Sequence, residues 1–187
     1  MQIISVSFFY MNNSNHSNIL IIGGGCAGIS VATRLKSLKS DLSISIIEPS
    51  EKSLYQAAWT LVGAGAYDVN STIKPMSSVM PSYVNWIKEY AESFSPESNS
   101  VKTPGGEYSY DYLVVCPGLK INFDGVAGLK ETLGKNNVCT NYSSDMAVYT
   151  WECLKKLQGG NLLFTEPPMP IKCAVAPQKI AYLAADH

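Results

Sequence analysis

The apolar positions of this chain fall in short dense runs, separated by glycine, proline and polar turns. Ile19-Leu20-Ile21-Ile22 is a short apolar strand, and Ile29 to Lys39 follows it with helix-like spacing. Leu42 to Ile47 predicts a second strand, ending in Glu48. Ser82 to Glu92, around Val84-Asn85-Trp86-Ile87, predicts a strand, and Ser98 to Thr103 a further short one. Pro104-Gly105-Gly106 is a turn signal, after which Glu107-Tyr108-Ser109-Tyr110 alternates as a strand does. Together these pieces predict a small antiparallel meander inserted in a parallel sheet. Tyr112 to Cys116 is a second apolar run, closed by Pro117-Gly118, and its length suits a buried parallel strand. Cys116 reads there as a small buried residue, inert in an apolar setting.

Farther along, Asn122 to Gly134 reads as surface loop. Ser143 to Leu157 predicts a helix, with Met146, Tyr149, Cys153 and Leu157 at spacings of three to four and Ser143 or Ser144 as the cap. Cys153 falls on its core face. Gly159-Gly160 ends the helix, Asn161 to Thr165 predicts a strand, and Glu166 to Pro170 is a stiff loop. Pro177 marks the first residue of a last helix, Gln178 to Ala185. The stretch therefore predicts a second strand–loop–helix unit after the first. The class is α/β, with a Rossmann-like domain over 18–135, the start of a second such domain over 136–187, and an N-terminal tail over 1–17.

The turn between the first strand and the first helix is Gly23-Gly24-Gly25-Cys26-Ala27-Gly28, a Gly-x-Gly-x-x-Gly. Gly23 permits the tight turn, Gly25 lets the backbone approach a pyrophosphate, and Gly28 lets the helix pack closely on the sheet. An anion then sits at the helix N-terminus, where free N–H groups and the helix dipole favour negative charge. Glu48, 20 residues past Gly28, stands where a carboxylate accepts hydrogen bonds from an adenosine ribose. An ordinary glycine-rich turn without a ligand is the bland alternative, and the complete strand–helix–strand–acid context argues against it.

Composition changes the picture in several places. Hydrophobic residues make up 46% and charged residues 16% of the 187, which is globular and not disordered. With 14 basic and 15 acidic residues nothing marks a nucleic-acid surface or a polybasic membrane patch. No apolar run approaches the length of a membrane-spanning helix. No Lys or Arg precedes Arg34, so residues 1–17 lack the early positive charge of a secretory signal or presequence and are expected to be a tail. The cysteines, Cys26, Cys116, Cys139, Cys153 and Cys173, are odd in number and widely spaced, against a zinc site or a disulfide framework, and no metal is expected. The two histidines, His16 and His187, lie near the ends, which disfavours Ser/His or Cys/His catalysis.

Two stretches stay open on their residues alone. Leu54 to Gly65 mixes aromatics, amides and small residues. It reads as core, or as a loop and short helix laying Tyr55, Gln56 and Trp59 against a flat ring system. Cys173 stands just before the last helix, beside Lys172 and Lys179. Helix dipole and ammonium groups both favour a thiolate, the nucleophile of thiol chemistry. A half-buried cysteine in a Pro-rich loop is the equally weighted alternative.

These motifs resemble the flavin-dependent sulfide:quinone oxidoreductases, in the branch found in mitochondria and some bacteria. The resemblance rests on Gly23–Gly28, Ile46-Ile47-Glu48-Pro49-Ser50, Tyr55-Gln56 through Trp59 to Gly65, and Val84 to Lys88. Tyr110 to Val115, Asn141-Tyr142-Ser143, Lys172-Cys173-Ala174 and Ala176 to Ile180 complete it. It runs from about Ile19 to the end, and the Cys173 motif is its most specific part. The resemblance implies FAD in the first fold, within a truncated two-dinucleotide-binding flavoprotein. Cys26 and Ala27 would lie in the pyrophosphate turn, Glu48 at the ribose, Gln56 near the cofactor and Ala91 at the adenine. Cys173 would be one of two redox cysteines that take sulfur from hydrogen sulfide. The electrons would pass to a membrane quinone and the sulfur to an acceptor such as glutathione or sulfite. The implied location is the mitochondrial inner membrane, peripherally bound, with a bacterial cytoplasmic membrane as the alternative. Other two-domain flavoproteins are the runners-up: flavocytochrome sulfide dehydrogenase, type II NADH dehydrogenase, or an inactive nucleotide-binding remnant.

The chain departs from that family in two ways. Val175 stands where the motif has glycine, a costly exchange if the position needs φ > 0. Family members are also roughly twice as long, two dinucleotide domains taking roughly 150 residues each. The second redox cysteine is expected beyond this chain, with Cys139 as a weaker candidate, and the 187 residues alone are expected to turn over sulfide poorly.

Overall fold

A computed structural model describes residues 15–167 and 169–187. The first 14 residues of the expected tail lie outside the described residues. In chain order the elements are β1 (His16–Ile22), α1 (Cys26–Leu38), β2 (Ile44–Ile47), β3 (Lys52–Leu54), α2 (Trp59–Gly63), β4 (Ile73–Pro75), β5 (Asn85–Ile87), β6 (Ser93–Ser95), β7 (Ser100–Thr103), β8 (Gly106–Val115), α3 (Leu129–Thr132), α4 (Ser144–Lys155) and α5 (Ala176–Asp186). The described residues gather into two compact units, one of 15–50 and 80–117, the other of 51–79, 118–167 and 169–187.

The first unit is a six-stranded sheet in the order β5-β2-β1-β8-β7-β6. β1 pairs in parallel with β2, from Ile19 opposite Ile44 to Ile22 opposite Ile47, and with β8, from Ile19 opposite Tyr112 to Ile22 opposite Val115. β2 pairs in parallel with β5, while β6, β7 and β8 form the antiparallel meander. The meander extends the edge of the sheet because β8 belongs to both parts. The two strands expected over 107–110 and 112–116 are one. Ser109 pairs with Ser100 on β7 and with His16 on β1, so the chain passes from one partner to the other without a break.

Successive side chains of a strand point to opposite faces. Leu20 and Ile22 of β1 join Ile47, Ile87, Val101 and Tyr110 in one cluster, and Ile19 and Ile21 join Ala32, Ile44 and Ile46 in another. The continuous apolar run at 19–22 is thus a strand covered on both faces. α1 supplies the cover on one face through Ala32, with Val31 and Leu35 packed beside it. Ser17 and Ser45, both buried, satisfy each other through a hydroxyl–hydroxyl hydrogen bond of 2.6 Å.

In the second unit, α2 packs on α4 and α5. Trp59, Val62 and Ala147 form its core, with Val69 against them. The Trp59 indole N–H donates to Thr72 Oγ1 at 3.3 Å, so the buried ring keeps its polar edge satisfied. Gly65 turns the chain after α2 with φ +73°, and a Cβ there would run into the Trp151 ring. β3 and β4 make a separate antiparallel pair that hydrophobic patterning does not reveal. The expected loop at 122–134 holds only a 3-10 turn and the one-turn α3. The strand expected at Asn161 to Thr165 is absent. Leu163 there is 87% exposed, and among the described residues no neighbouring strand takes its backbone hydrogen bonds. No helix among the described residues is long and apolar enough to cross a membrane.

Candidate functional site

The β1–α1 turn is built as its glycines require. Gly23 has φ +101°, and a Cβ on it would strike the Cys116 carbonyl oxygen at the end of β8. A Cβ on Gly28 would strike the Gly23 carbonyl oxygen, so only glycine lets α1 start this close to the strand. Gly25 differs: it is exposed, and nothing stands within 4 Å of where its Cβ would be. It is the N-cap of α1, no side chain caps the helix, and no acidic residue occupies its first turn. Cys26 and Ala27 are exposed beside it. The turn therefore presents uncapped N–H groups and a helix dipole around an open space, the setting a pyrophosphate needs.

Glu48 closes one side of this cradle. Its Oε2 accepts the Gly24 N–H at 2.8 Å and its Oε1 accepts the Ser50 N–H at 2.7 Å. Each carboxylate oxygen keeps a further lone pair for a ribose hydroxyl. The backbone is fixed as well: Glu48 N–H donates to Ile87 O at 3.0 Å, and the Trp86 indole donates to Glu48 O at 2.8 Å. Gly24, which sequence reasoning passed over, has its own constraint. A Cβ on it would lie 2.8 Å from Glu48 Cβ and Cγ. Its place in the middle of three consecutive glycines was the available signal. Ala91 is half-buried and packs against the Leu20–Tyr110 cluster of the same unit.

The second unit holds the remaining candidates. Gln56 is exposed and opens a single 3-10 turn, Gln56–Ala58, ahead of α2. Within Leu54–Gly65 the core reading holds for Trp59, which is buried and offers no open ring face, while Tyr55 and Gln56 face solvent on the loop before α2. Cys173 is exposed, three residues before Ala176 at the start of α5, with φ +58°. A non-glycine residue in that region is uncommon and costs about 1–2 kcal/mol. Two bonds hold it: its carbonyl accepts the Ala176 N–H at 3.0 Å and the Tyr142 hydroxyl at 3.5 Å. The Lys172 ammonium lies 5.8 Å from the Tyr142 ring. Burial, with the Cys173 and Glu166 charges beside it, pushes the Tyr142 phenol above its usual range. Val175, a costly exchange only if its position needed φ > 0, takes right-handed geometry at φ −94° and ψ −5° as the cap of α5. The left-handed residue in this motif is the cysteine itself.

Cys139 does not stand alone, because the Cys153 thiol on α4 acts on its titration. Burial first, and Cys153 second, push the Cys139 thiol up to about 12. Cys116 packs under the cradle with its thiol 3.8 Å from Gly23 O, and burial pushes it up as well. All five cysteines are free thiols, and no cluster among the described residues could hold a metal ion. Asn141 and Tyr142 are further residues that the single-residue reading left without a role. Asn141 packs its side chain on Gly63, and its Oδ1 and Thr60 Oγ1 are buried with no hydrogen-bond partner among the described residues.

A parallel sheet with a glycine cradle at its first βα turn and an acid at the end of the second strand defines a dinucleotide-binding α/β protein. The family model for pyridine nucleotide-disulphide oxidoreductases matches residues 17–146, and the chain belongs to that family. It is similar to the mitochondrial sulfide:quinone oxidoreductase of Dictyostelium discoideum, 46% identical over 92% of this chain and 39% of that protein. Its identity to the mitochondrial sulfide:quinone oxidoreductase of Mus musculus is 41%, over 91% of this chain and 38% of that protein. Among solved structures, the sulfide:quinone oxidoreductase of Aquifex aeolicus superposes with a TM-score of 0.61 at 29% identity, covering 76% of this chain and 32% of that one. The chain spans about two fifths of the length of the curated relatives it matches. The resemblance read from the motifs is thus borne out.

Proposed function

We propose that this chain provides the FAD-binding portion and one redox cysteine of a flavin-dependent sulfide:quinone oxidoreductase. The observation that carries the reading is an exposed Cys173 held at φ +58°, in a chain 46% identical to a relative of that name. An outlier of this kind, over-determined by its surroundings, is a mark of a working site.

Gly23, Gly25 and Gly28 hold the pyrophosphate of the cofactor, with Cys26 and Ala27 giving backbone N–H groups. Glu48 takes the ribose. Gln56 and Ala91 bind farther along the same cofactor. Bound FAD supplies a two-electron acceptor. Cys173 takes up the sulfur of hydrogen sulfide, its thiol open to solvent and its backbone fixed from Tyr142 and Ala176. Oxidation of sulfide to sulfane sulfur releases two electrons, which end on a quinone. The sulfane sulfur leaves the cysteine to glutathione, sulfite or another thiophile. On this reading the protein works in the mitochondrion, bound peripherally at the inner membrane where its quinone is held.

The test has two arms. The 187-residue chain is purified with FAD and its visible spectrum recorded; flavin bands are expected, and none at all would remove the cradle from the reading. Cys173→Ser is then made in a chain completed to the length of its relatives. Sulfide-dependent quinone reduction is expected to fall to background while the flavin bands stay. Retained turnover would remove Cys173 from the mechanism.

A further inference from the structure

We propose that Cys139 and Cys153 form a second dithiol–disulfide pair, separate from Cys173, which closes on reaction with a small-molecule disulfide and staples the 134–142 loop to α4. The proposal does not depend on the reading of the whole protein as a sulfide oxidase.

The loop is shaped to bring one thiol to the other. Gly134, Asn136 and Asn137 all take positive φ, at 76°, 50° and 63°. Gly134 N–H donates to Val138 O at 3.0 Å and Val138 N–H donates to Lys135 O at 2.9 Å, closing a tight turn. This turn lies along one row of α4. Gly134 packs on Met146, and the Asn137 N–H donates to the Tyr149 hydroxyl at 3.2 Å. Cys153 follows Tyr149 by one helical turn, on the same face. Cys139 donates its S–H to Asn137 O at 3.4 Å, and the helix row that meets the loop at Met146 and Tyr149 continues to Cys153, whose thiol helps to hold that of Cys139 protonated. Both are half-buried. The sequence placed Cys153 on the core face of its helix; the fold gives that face a thiol partner.

The exchange balances with one oxidant, a glutathione-type disulfide. One cysteine, as thiolate, attacks a sulfur of the small disulfide, whose S–S bond breaks and releases one small thiolate. The second cysteine, as thiolate, attacks the protein sulfur of the mixed disulfide and releases the other. Two protein thiols are oxidised, one small disulfide is reduced to two small thiols, and the two protons leave the cysteines for the released thiolates. Burial that holds Cys139 protonated slows this chemistry near neutrality and lets it quicken as pH rises. Closure matters to the neighbouring chemistry because the same loop runs on to Tyr142, whose hydroxyl reaches the Cys173 carbonyl.

Trypsin makes the test direct. No Lys or Arg lies between Lys135 and Lys155, so Cys139 and Cys153 fall on one peptide, Asn136 to Lys155, with no other cysteine; Cys173 falls on another. The reduced, folded 187-residue chain is held in oxidised glutathione at several pH values, quenched with N-ethylmaleimide, digested and weighed. The expected result is loss of both maleimide labels from that peptide and a mass lower by two hydrogens, at a rate that climbs with pH and is reversed by dithiothreitol. The thermal midpoint of the oxidised chain is expected to rise. In Cys153→Ser the same peptide should instead carry one glutathione, on Cys139. Two maleimide labels on the wild-type peptide at every pH, with the circular dichroism of the folded chain unchanged, would overturn the proposal. So would a disulfide joining either residue to Cys173.

Discussion

Glycine exchanges separate two roles that one motif combines. At Gly28 an added methyl group meets the Gly23 carbonyl, which is backbone and cannot swing aside. Gly28→Ala is therefore expected to lower stability by about 1–3 kcal/mol, read as a shift of the urea midpoint. At Gly25 the space is open and φ is −74°, so Gly25→Ala should change stability by less than about 0.5 kcal/mol while reducing flavin content. Equal loss of stability in both would mean that Gly25 is structural. Cys139 gives a residue-level prediction in pH. Its thiol titrates near 9.0 when unfolded and about 12 when folded. The unfolded chain thus releases this proton first as pH rises, and the folded state loses stability from about pH 9 upward until the folded thiol also ionises. Urea midpoints between pH 8 and 11 should fall, and Cys139→Ala should flatten the fall relative to wild type. An unchanged slope would show that the thiol is not held protonated by the fold.

At the scale of elements, α2 carries more than its five residues suggest. It sets Trp59 and Val62 against Ala147 of α4, leaving Ala147 without exposed surface. Trp59→Ala is expected to cost about 3–5 kcal/mol in denaturant unfolding, from the lost ring and the cavity left behind. It also strips the Thr72 hydroxyl of its indole donor. A loss below about 1 kcal/mol would mean the site collapses around the change. β8 illustrates the opposite case, in which one element was read as two. Asp111 interrupts its apolar pattern, yet it is an exposed residue of a continuous strand, accepting a hydrogen bond from Asn18 Nδ2 on β1 at 2.8 Å. The His16–Asp111 pair beside it is 3.4 Å apart with both side chains exposed, so it adds little to stability.

For the molecule as a whole, ligand linkage offers the cleanest reading of the cradle. A cofactor that binds only the folded chain stabilises it by about 2.7 kcal/mol at a free concentration a hundredfold above its Kd. FAD is expected to raise the thermal midpoint in proportion to the logarithm of its concentration, and Gly28→Val to abolish that rise. A midpoint indifferent to FAD would argue against the cradle as a cofactor site in this chain. The two compact units are each assembled from two separate stretches of sequence, so neither can be cut out as one continuous piece.

The sequence by itself determined the cradle and the parallel core strands. A run of branched apolar residues ending in Gly-x-Gly-x-x-Gly has few other uses, and its restrictions are local: φ at Gly23, a single atom of space at Gly28. It also determined the kinship, through motifs such as Lys172-Cys173-Ala174. Tertiary structure alone decided four things. Asn161 to Thr165 is no strand because a strand exists only where a neighbour takes its hydrogen bonds, and Leu163 stands out in solvent instead. Gly24 is fixed by a carboxylate 24 residues away, which no local pattern encodes. The strained residue of the last motif is Cys173 and not Val175, since φ depends on how the loop is tethered at Tyr142 and α5. Cys139 and Cys153 meet because a turn of left-handed residues folds the loop back along a helix, and sequence spacing says nothing of that return.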